Sequence, residues 1–318
     1  MRKPVLLGLL LVGACSASSS ETGSSRDAGG GGALVGPEGG QPTVDAGTHD
    51  ASSSPESGTP DATSEAAPMA TGTHVRFADW TPDAPAAGFS FCLAPQGSSN
   101  WMGPFLPQGL PYPGTGAYAA VPPGDYEVQV VAASSGDCTM GVIPTSYGLP
   151  ALADGTYATI ATIGDVTPTG GDAQIKVVAF FDDVSGAADG LKLRAINAAP
   201  RIGYAQFGTG SQAGGDFSAL FSDVAFGTAS SAMADGGATD TNGYALLAPL
   251  SGAELSAYPI VGDSTQAATA SQVSLATGIT ATLVLVGGAD NGPPPQIMIC
   301  NEVGAAAGSA SPCMLYSQ

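Results

Sequence analysis

Positive charge is scarce in this chain. Eight Lys and Arg stand against 27 Asp and Glu, a formal net charge of −19 over 318 residues. Nucleic-acid binding depends on cations that neutralise phosphates, so this balance argues against nucleic acid as a partner. Histidine is nearly absent: His49 lies in a segment with nothing to bury, and His74 stands at the head of the first strand. A serine nucleophile needs a base beside it, and no Gly-x-Ser-x-Gly elbow occurs, so Ser–His chemistry is disfavoured. His74 reads as an edge-of-strand residue. No Cys-x-x-Cys is present, which removes a common zinc spacing. Long apolar runs are missing as well. Val5–Val12 falls far short of the ~20 residues that span a bilayer.

What remains favours strands. Charged residues make up only 11%, while Gly (46) and Pro (25) are abundant and hydrophobic residues reach 43%. Short Val/Thr/Tyr runs between Gly and Pro turns read as an all-β chain. Tyr126, Val128 and Val130 alternate with Glu127 and Gln129, the pattern of a half-buried strand. Phe89–Leu93, Thr156–Ala161 and Ile175–Phe181 read likewise, whereas Pro104–Pro113 is too rich in proline for a central strand and reads as a loop.

The amino terminus reads as an export signal. Arg2 and Lys3 precede the apolar run, which ends at Gly13-Ala14-Cys15. Val12-Gly13-Ala14-Cys15 resembles a bacterial lipobox, which implies cleavage after residue 14, lipidation of Cys15 and a membrane partner through that anchor. Ser16 beside the Cys resembles outer-membrane sorting. Cleavage would take the net charge from −19 to −21, because Arg2 and Lys3 leave. Residues 15–71 are Ser, Gly, Ala, Thr, Pro and Asp with little to bury, and read as a disordered tether. About 55 such residues span roughly 40 Å root-mean-square.

The folded part replays itself. Leu193-Arg194-Ala195-Ile196-Asn197 echoes Val75-Arg76-Phe77-Ala78-Asp79, and each copy stops at a proline. Tyr244–Pro249 echoes Tyr118–Pro122, Leu275–Leu283 echoes Leu152–Ile160, and Gln296–Glu302 echoes the strand ending at Asp182-Asp183. Matched positions are 118 to 126 residues apart, the length of a duplicated domain and not of a solenoid unit. The expectation is two tandem Ig-like β-sandwiches, residues 72–186 and 187–318, with a boundary in the small, flexible run Ser185–Gly190. Val75–Pro85 resembles the opening of a bacterial extracellular family, domain of unknown function 4397. Asp79 stands where that family has His, and Thr81 where it has Ser. The resemblance also covers Val121–Val130 and Gly155–Ala161; the second copy follows it only in outline. It implies an extracellular β-sandwich and no particular activity.

With Cys15 lipidated, four cysteines remain, and three connectivities are open. Cys92–Cys138 and Cys300–Cys313 is the pairing that keeps each bridge within one copy, each contributing roughly 3–4 kcal/mol by chain entropy. Arg76 and Arg194 recur at matching places and are candidates for a ligand carboxylate clamp. The simpler reading is an outward arginine bonded to its own copy, in the first case to Asp83. Trp80 and Trp101, with Tyr112 and Phe105, are candidates for an aromatic sugar shelf. Asp182–Gly190 and Asp235–Gly243 are oxygen-rich loops, but neither has the Asp-x-Asp-x-Asp-Gly spacing of a calcium loop.

These observations predict a non-catalytic, lipid-anchored envelope protein at the outer membrane, an adhesion, binding or structural module without a cofactor. An envelope glycan or protein is its expected partner. The alternatives are a carbohydrate-binding or polysaccharide-hydrolysing envelope protein, or a calcium-binding surface module.

Overall fold

In the computed structural model, residues 72–143, 145–168, 173–212, 214–260, 268–289, 292–306 and 313–316 are described. The signal sequence, Cys15 and the tether lie outside the described residues.

Among the described residues, nine strands precede Asp183: β1 (Thr73–Asp79), β2 (Phe89–Pro95), β3 (Met102–Leu110), β4 (Gly114–Thr115), β5 (Ala119–Val121), β6 (Tyr126–Ala132), β7 (Tyr147–Gly148), β8 (Tyr157–Ile163) and β9 (Lys176–Asp182). They form two sheets. One has the order β4-β1-β8-β9, with β5 also on β1; the other has the order β3-β2-β6-β7. All pairs are antiparallel except β1 with β8, where Arg76 lies opposite Thr159. Side chains alternate across each strand. Val75 and Phe77 therefore meet Phe89, Phe91, Leu93, Val128 and Ile160 in one core between the two sheets. The expected loop at Pro104 is instead the edge strand β3, which tolerates Pro104 and Pro107 because an edge need not donate every N–H. Its pairing with β2 slips twice along its length.

The second set repeats this plan: β10 (Leu191–Asn197), β11 (Tyr204–Thr209), β12 (Ser218–Ala225), β13 (Ala245–Leu247), β14 (Leu250–Pro259), β15 (Ala268–Leu275), β16 (Thr280–Val286) and β17 (Gln296–Asn301). A single helical turn, α1 (Glu302–Ala306), and an edge strand, β18 (Cys313–Tyr316), follow. The sheets are β13-β10-β16-β17-β18 and β12-β11-β14-β15, and β10 again pairs in parallel with β16. Leu193, Phe207, Phe221, Leu255, Leu283 and Ile299 lie in its core. The all-β sandwich class read from the sequence is thus the fold. Among the described strands no ladder joins one set to the other.

The sets nevertheless meet face to face. Ala78, Trp80, Ile163 and Phe180 from the first pack with Ile196, Val284, Val286 and Met298 from the second in one buried cluster. The β1 and β10 sheets are therefore covered on both faces, one by their own sandwich and one by the other. Strands in such a position read as near-continuous apolar runs. β16, Thr-Ala-Thr-Leu-Val-Leu-Val, is buried at every residue.

Candidate functional site

The alternation that sends Val75 and Phe77 inward sends Arg76 the other way, onto the face shared by the two halves, and Arg194 does the same from β10. Both arginines are 1% exposed. The Nε of each donates to a threonine on the parallel neighbour strand: Arg76 to Thr159 at 2.7 Å, Arg194 to Thr282 at 2.9 Å. Each guanidinium sits over a tyrosine of its own half, Tyr118 at 4.9 Å and Tyr244 at 4.6 Å. The carboxylates are exchanged. Arg76 Nη2 pairs with Glu302 Oε2 of the second half at 2.5 Å, and Arg194 Nη2 pairs with Asp182 Oδ1 of the first. Thr159 donates to Asp182 Oδ2 and Thr282 to Glu302 Oε1, at 2.6 and 2.5 Å. Diagonal approaches of 3.7 Å (Arg76–Asp182) and 3.9 Å (Arg194–Glu302) close the quartet. Its reciprocity is that of a two-fold interface, in which each side offers the same groups to the other.

The two-fold is imperfect. Arg194 Nη1 donates to Phe181 O at 2.6 Å, whereas its equivalent, Arg76 Nη1, is buried without a partner. The carboxylates differ as well. Burial pushes Asp182 up, but Arg76, Arg194 and the hydroxyls of Thr159 and Tyr118 outweigh it and hold Asp182 below the usual range. Glu302 takes fewer donors, so its burial dominates and raises it. Burial also raises the tyrosine hydroxyls. Two cations and two anions thus neutralise one another with side chains 0–2% exposed. Such an arrangement can lock two surfaces in one register; acid–base catalysis needs a group that reaches substrate.

This placement corrects the simpler reading of Arg76. It is not outward-facing and does not bond Asp83; Asp83 accepts instead from the backbone N–H of Val166 and Thr167 and from the Thr167 hydroxyl. Both arginines face their counterparts' carboxylates. A cavity of about 430 Å³ touches the Arg194 edge, between β9 and Ser230–Gly243. Trp80 is buried at the same interface and donates to Thr115 Oγ1 at 3.3 Å. The aromatic shelf does not exist as one surface: Trp80 and Tyr112 belong to the interface, Phe105 packs on Phe77, and Trp101 lies apart with Cys92 and Cys138. His74 is the second residue of β1, at the strand's beginning as read from the sequence, and stacks on Tyr157 at 4.6 Å.

The oxygen-rich loops bind themselves. Asp183 accepts from Ser185 and pairs with Lys192 at 2.5 Å; Asp235 accepts from the N–H of Gly237, and Asp240 from those of Asn242 and Tyr244. Among the described residues no three His, Cys, Asp or Glu side chains gather as a metal group. The disulfides are Cys92–Cys138 and Cys300–Cys313. Disulfides are characteristic of exported chains. Among the described residues no helix is long and apolar enough to cross a membrane.

Glu302, Thr159, Thr282, Tyr118 and Tyr244 were not singled out as site residues by the sequence. Every one of them lies in a matched segment of the duplication, the signal that could have found them.

No protein-family model and no curated protein matches the chain. Among solved structures it is similar to the pilus adhesin SpaC from Lactobacillus rhamnosus GG. One crystal structure of that adhesin aligns at 12% identity and TM-score 0.18, over 76% of this chain and 27% of that one. A second, of its open conformation, aligns at 12% identity and TM-score 0.16, over 76% and 28%. The chain therefore spans less than a third of the adhesin's length.

Proposed function

We propose that the chain is an envelope lipoprotein, anchored at the outer membrane through Cys15, whose two β-sandwich halves (72–186 and 187–318) act as a non-catalytic binding or adhesion module. Kinship to domain of unknown function 4397 belongs to the same proposal. The observation that carries the non-catalytic reading is the quartet: four charged side chains join the halves, and they are 0–2% exposed. The basic start, the short apolar run and Gly13-Ala14-Cys15 support the anchor. The bridges Cys92–Cys138 and Cys300–Cys313 support an oxidising compartment.

Two measurements test this. Cys15→Ser should move the protein from membrane to soluble fractions; a variant that stays membrane-bound and is processed as before removes the anchor. Incubated with envelope polysaccharides, the purified protein should release no new reducing ends. Turnover proportional to enzyme concentration would replace the binding role with hydrolysis.

A further inference from the structure

The Cys92–Cys138 bridge of the first half lies apart from its main core. On β2, Phe89, Phe91 and Leu93 enter the core, so Cys92 points to the outer face of its sheet. There Cys92, Cys138 and Val131 form a small separate cluster, and Trp101 packs against it. The bridge is remote from the packing of the main core. What it does is tie the segment after β6 to the sheet beneath Trp101. Gln129, opposite Cys92 in the β2–β6 ladder, faces the same segment: with its amide oriented so that nitrogen meets Cys138 O and oxygen meets Gly141 N, it donates at 2.9 Å and accepts at 2.8 Å. A covalent bond and a side-chain amide thus fix one surface loop beside one tryptophan. Fixing a surface in advance lowers the ordering cost of binding.

The result is a cleft of about 860 Å³, within the ~300–1,000 Å³ typical of ligand sites. Trp101 supplies an apolar wall. Asn100, Asp137, Thr139 and Ser146 supply amide, carboxylate and hydroxyl groups, while the amide of Gln129 is engaged by the loop itself. Asp137 Oδ1 accepts from the N–H and the hydroxyl of Thr139, at 3.0 and 2.7 Å, which orients the carboxylate. Ser146 is oriented by donating to Glu127 Oε2 at 2.9 Å. No lysine or arginine lines the cleft, and the whole chain carries −19. A polyanion would be repelled. An apolar ligand would leave the polar wall without partners. A pyranose has what both walls need: a C–H face for the indole and hydroxyls around its edge for the amide, carboxylate and hydroxyl groups.

We propose that this cleft binds a neutral oligosaccharide, with Trp101 as the stacking platform and Asn100 and Asp137 as partners for sugar hydroxyls. The inference rests on the binding-module reading and names its ligand class.

The chain has two tryptophans, and Trp80 is 1% exposed, so acrylamide quenching of the intact protein reports chiefly on Trp101. The probes are hexamers of the chito-, cello-, malto- and manno-oligosaccharide series, with oligogalacturonate as the charged control. At least one neutral hexamer should shield Trp101 in a saturable way, and oligogalacturonate should not. By calorimetry, Trp101→Ala should weaken that binding about tenfold or more. Because Trp101→Ala also disturbs the disulfide cluster, Asn100→Ala, at an exposed residue, serves as the second variant and should weaken binding at an unchanged melting temperature. Failure of every neutral hexamer to shield Trp101, preference for oligogalacturonate, or affinity equal to the parent's in both variants overturns the proposal. Those failures leave the envelope role standing, whereas appearance of new reducing ends would sink the non-catalytic role and leave the cleft.

Discussion

Arg76→Met should lower the unfolding free energy by about 3–5 kcal/mol, the cost of leaving a buried charge without its partner. The orphan would be Glu302, which loses a contact of 2.5 Å and is fully buried. Adding Glu302→Gln should return part of the loss, since an uncharged amide costs less to bury than an unpaired carboxylate. The double variant is thus expected to be more stable than Arg76→Met alone. Arg194→Met should cost at least as much, because Asp182 is the carboxylate held firmly ionised and Arg194 also caps Phe181 O. Acid should soften the Arg76→Met defect: burial raises Glu302, which can take up a proton once the cation is gone. Urea unfolding of the parent, Arg76→Met, Glu302→Gln, their double variant and Arg194→Met at pH 5 and pH 8 measures all of this. Strictly additive losses in Arg76→Met and Glu302→Gln would show that the pair is not coupled as its geometry requires.

Asp79→Asn should stabilise the protein at pH 8 and remove part of its pH dependence. Asp79 ends β1 with no exposure, and burial pushes its carboxyl to about 7 from an ordinary 3.8. Its Oδ1 accepts from Thr81 N at 3.1 Å and Thr162 Oγ1 at 3.0 Å, but Oδ2, Tyr112 Oη and Thr81 Oγ1 are buried without partners. Among ionisable neighbours Asp83 raises it further, and Tyr112 beside it is itself pushed up by burial and by Asp79. The folded state holds this proton more tightly than the unfolded chain does. Stability from Asp79 is therefore fully present below about pH 4, declines as pH rises through the interval to about 7, and is flat above it. At 1.36 kcal/mol per pH unit the full decline is up to about 4 kcal/mol. Asparagine cannot ionise, so the variant should lack that decline. The matching position of the second half shows the arrangement in place: Asn197 Nδ2 donates to Ile202 O and Val224 O, and its Oδ1 accepts from Ala199 N. Equal slopes of stability against pH for variant and parent between pH 4 and 7 would mean that Asp79 is not the group that titrates.

The duplicated plan, the strands at Tyr126–Val131, Thr156–Ala161 and Ile175–Phe181, and the all-β class follow from local properties: two-residue alternation, turn residues and proline placement. Both bridges follow from spacing, once each is confined to one copy. All eight residues of the quartet and its supports also stood in matched segments of the sequence, as Arg76/Arg194, Tyr118/Tyr244, Thr159/Thr282 and Asp182/Glu302. Their meeting did not. Arg76 and Glu302 are 226 residues apart, and no local pattern connects them. Alternation within a strand also misdirects here, because a polar residue between apolar ones is assigned to solvent. That assignment is right for a sandwich with one wet face, and it sent Arg76 outward. The β1 and β10 sheets have no wet face at the quartet, since each is roofed by the other half. The sequence by itself thus determined which residues are equivalent and which alternate to the same side of a strand. Only the tertiary structure decided that this side is interior, because burial of a second face depends on what packs against it from elsewhere in the chain.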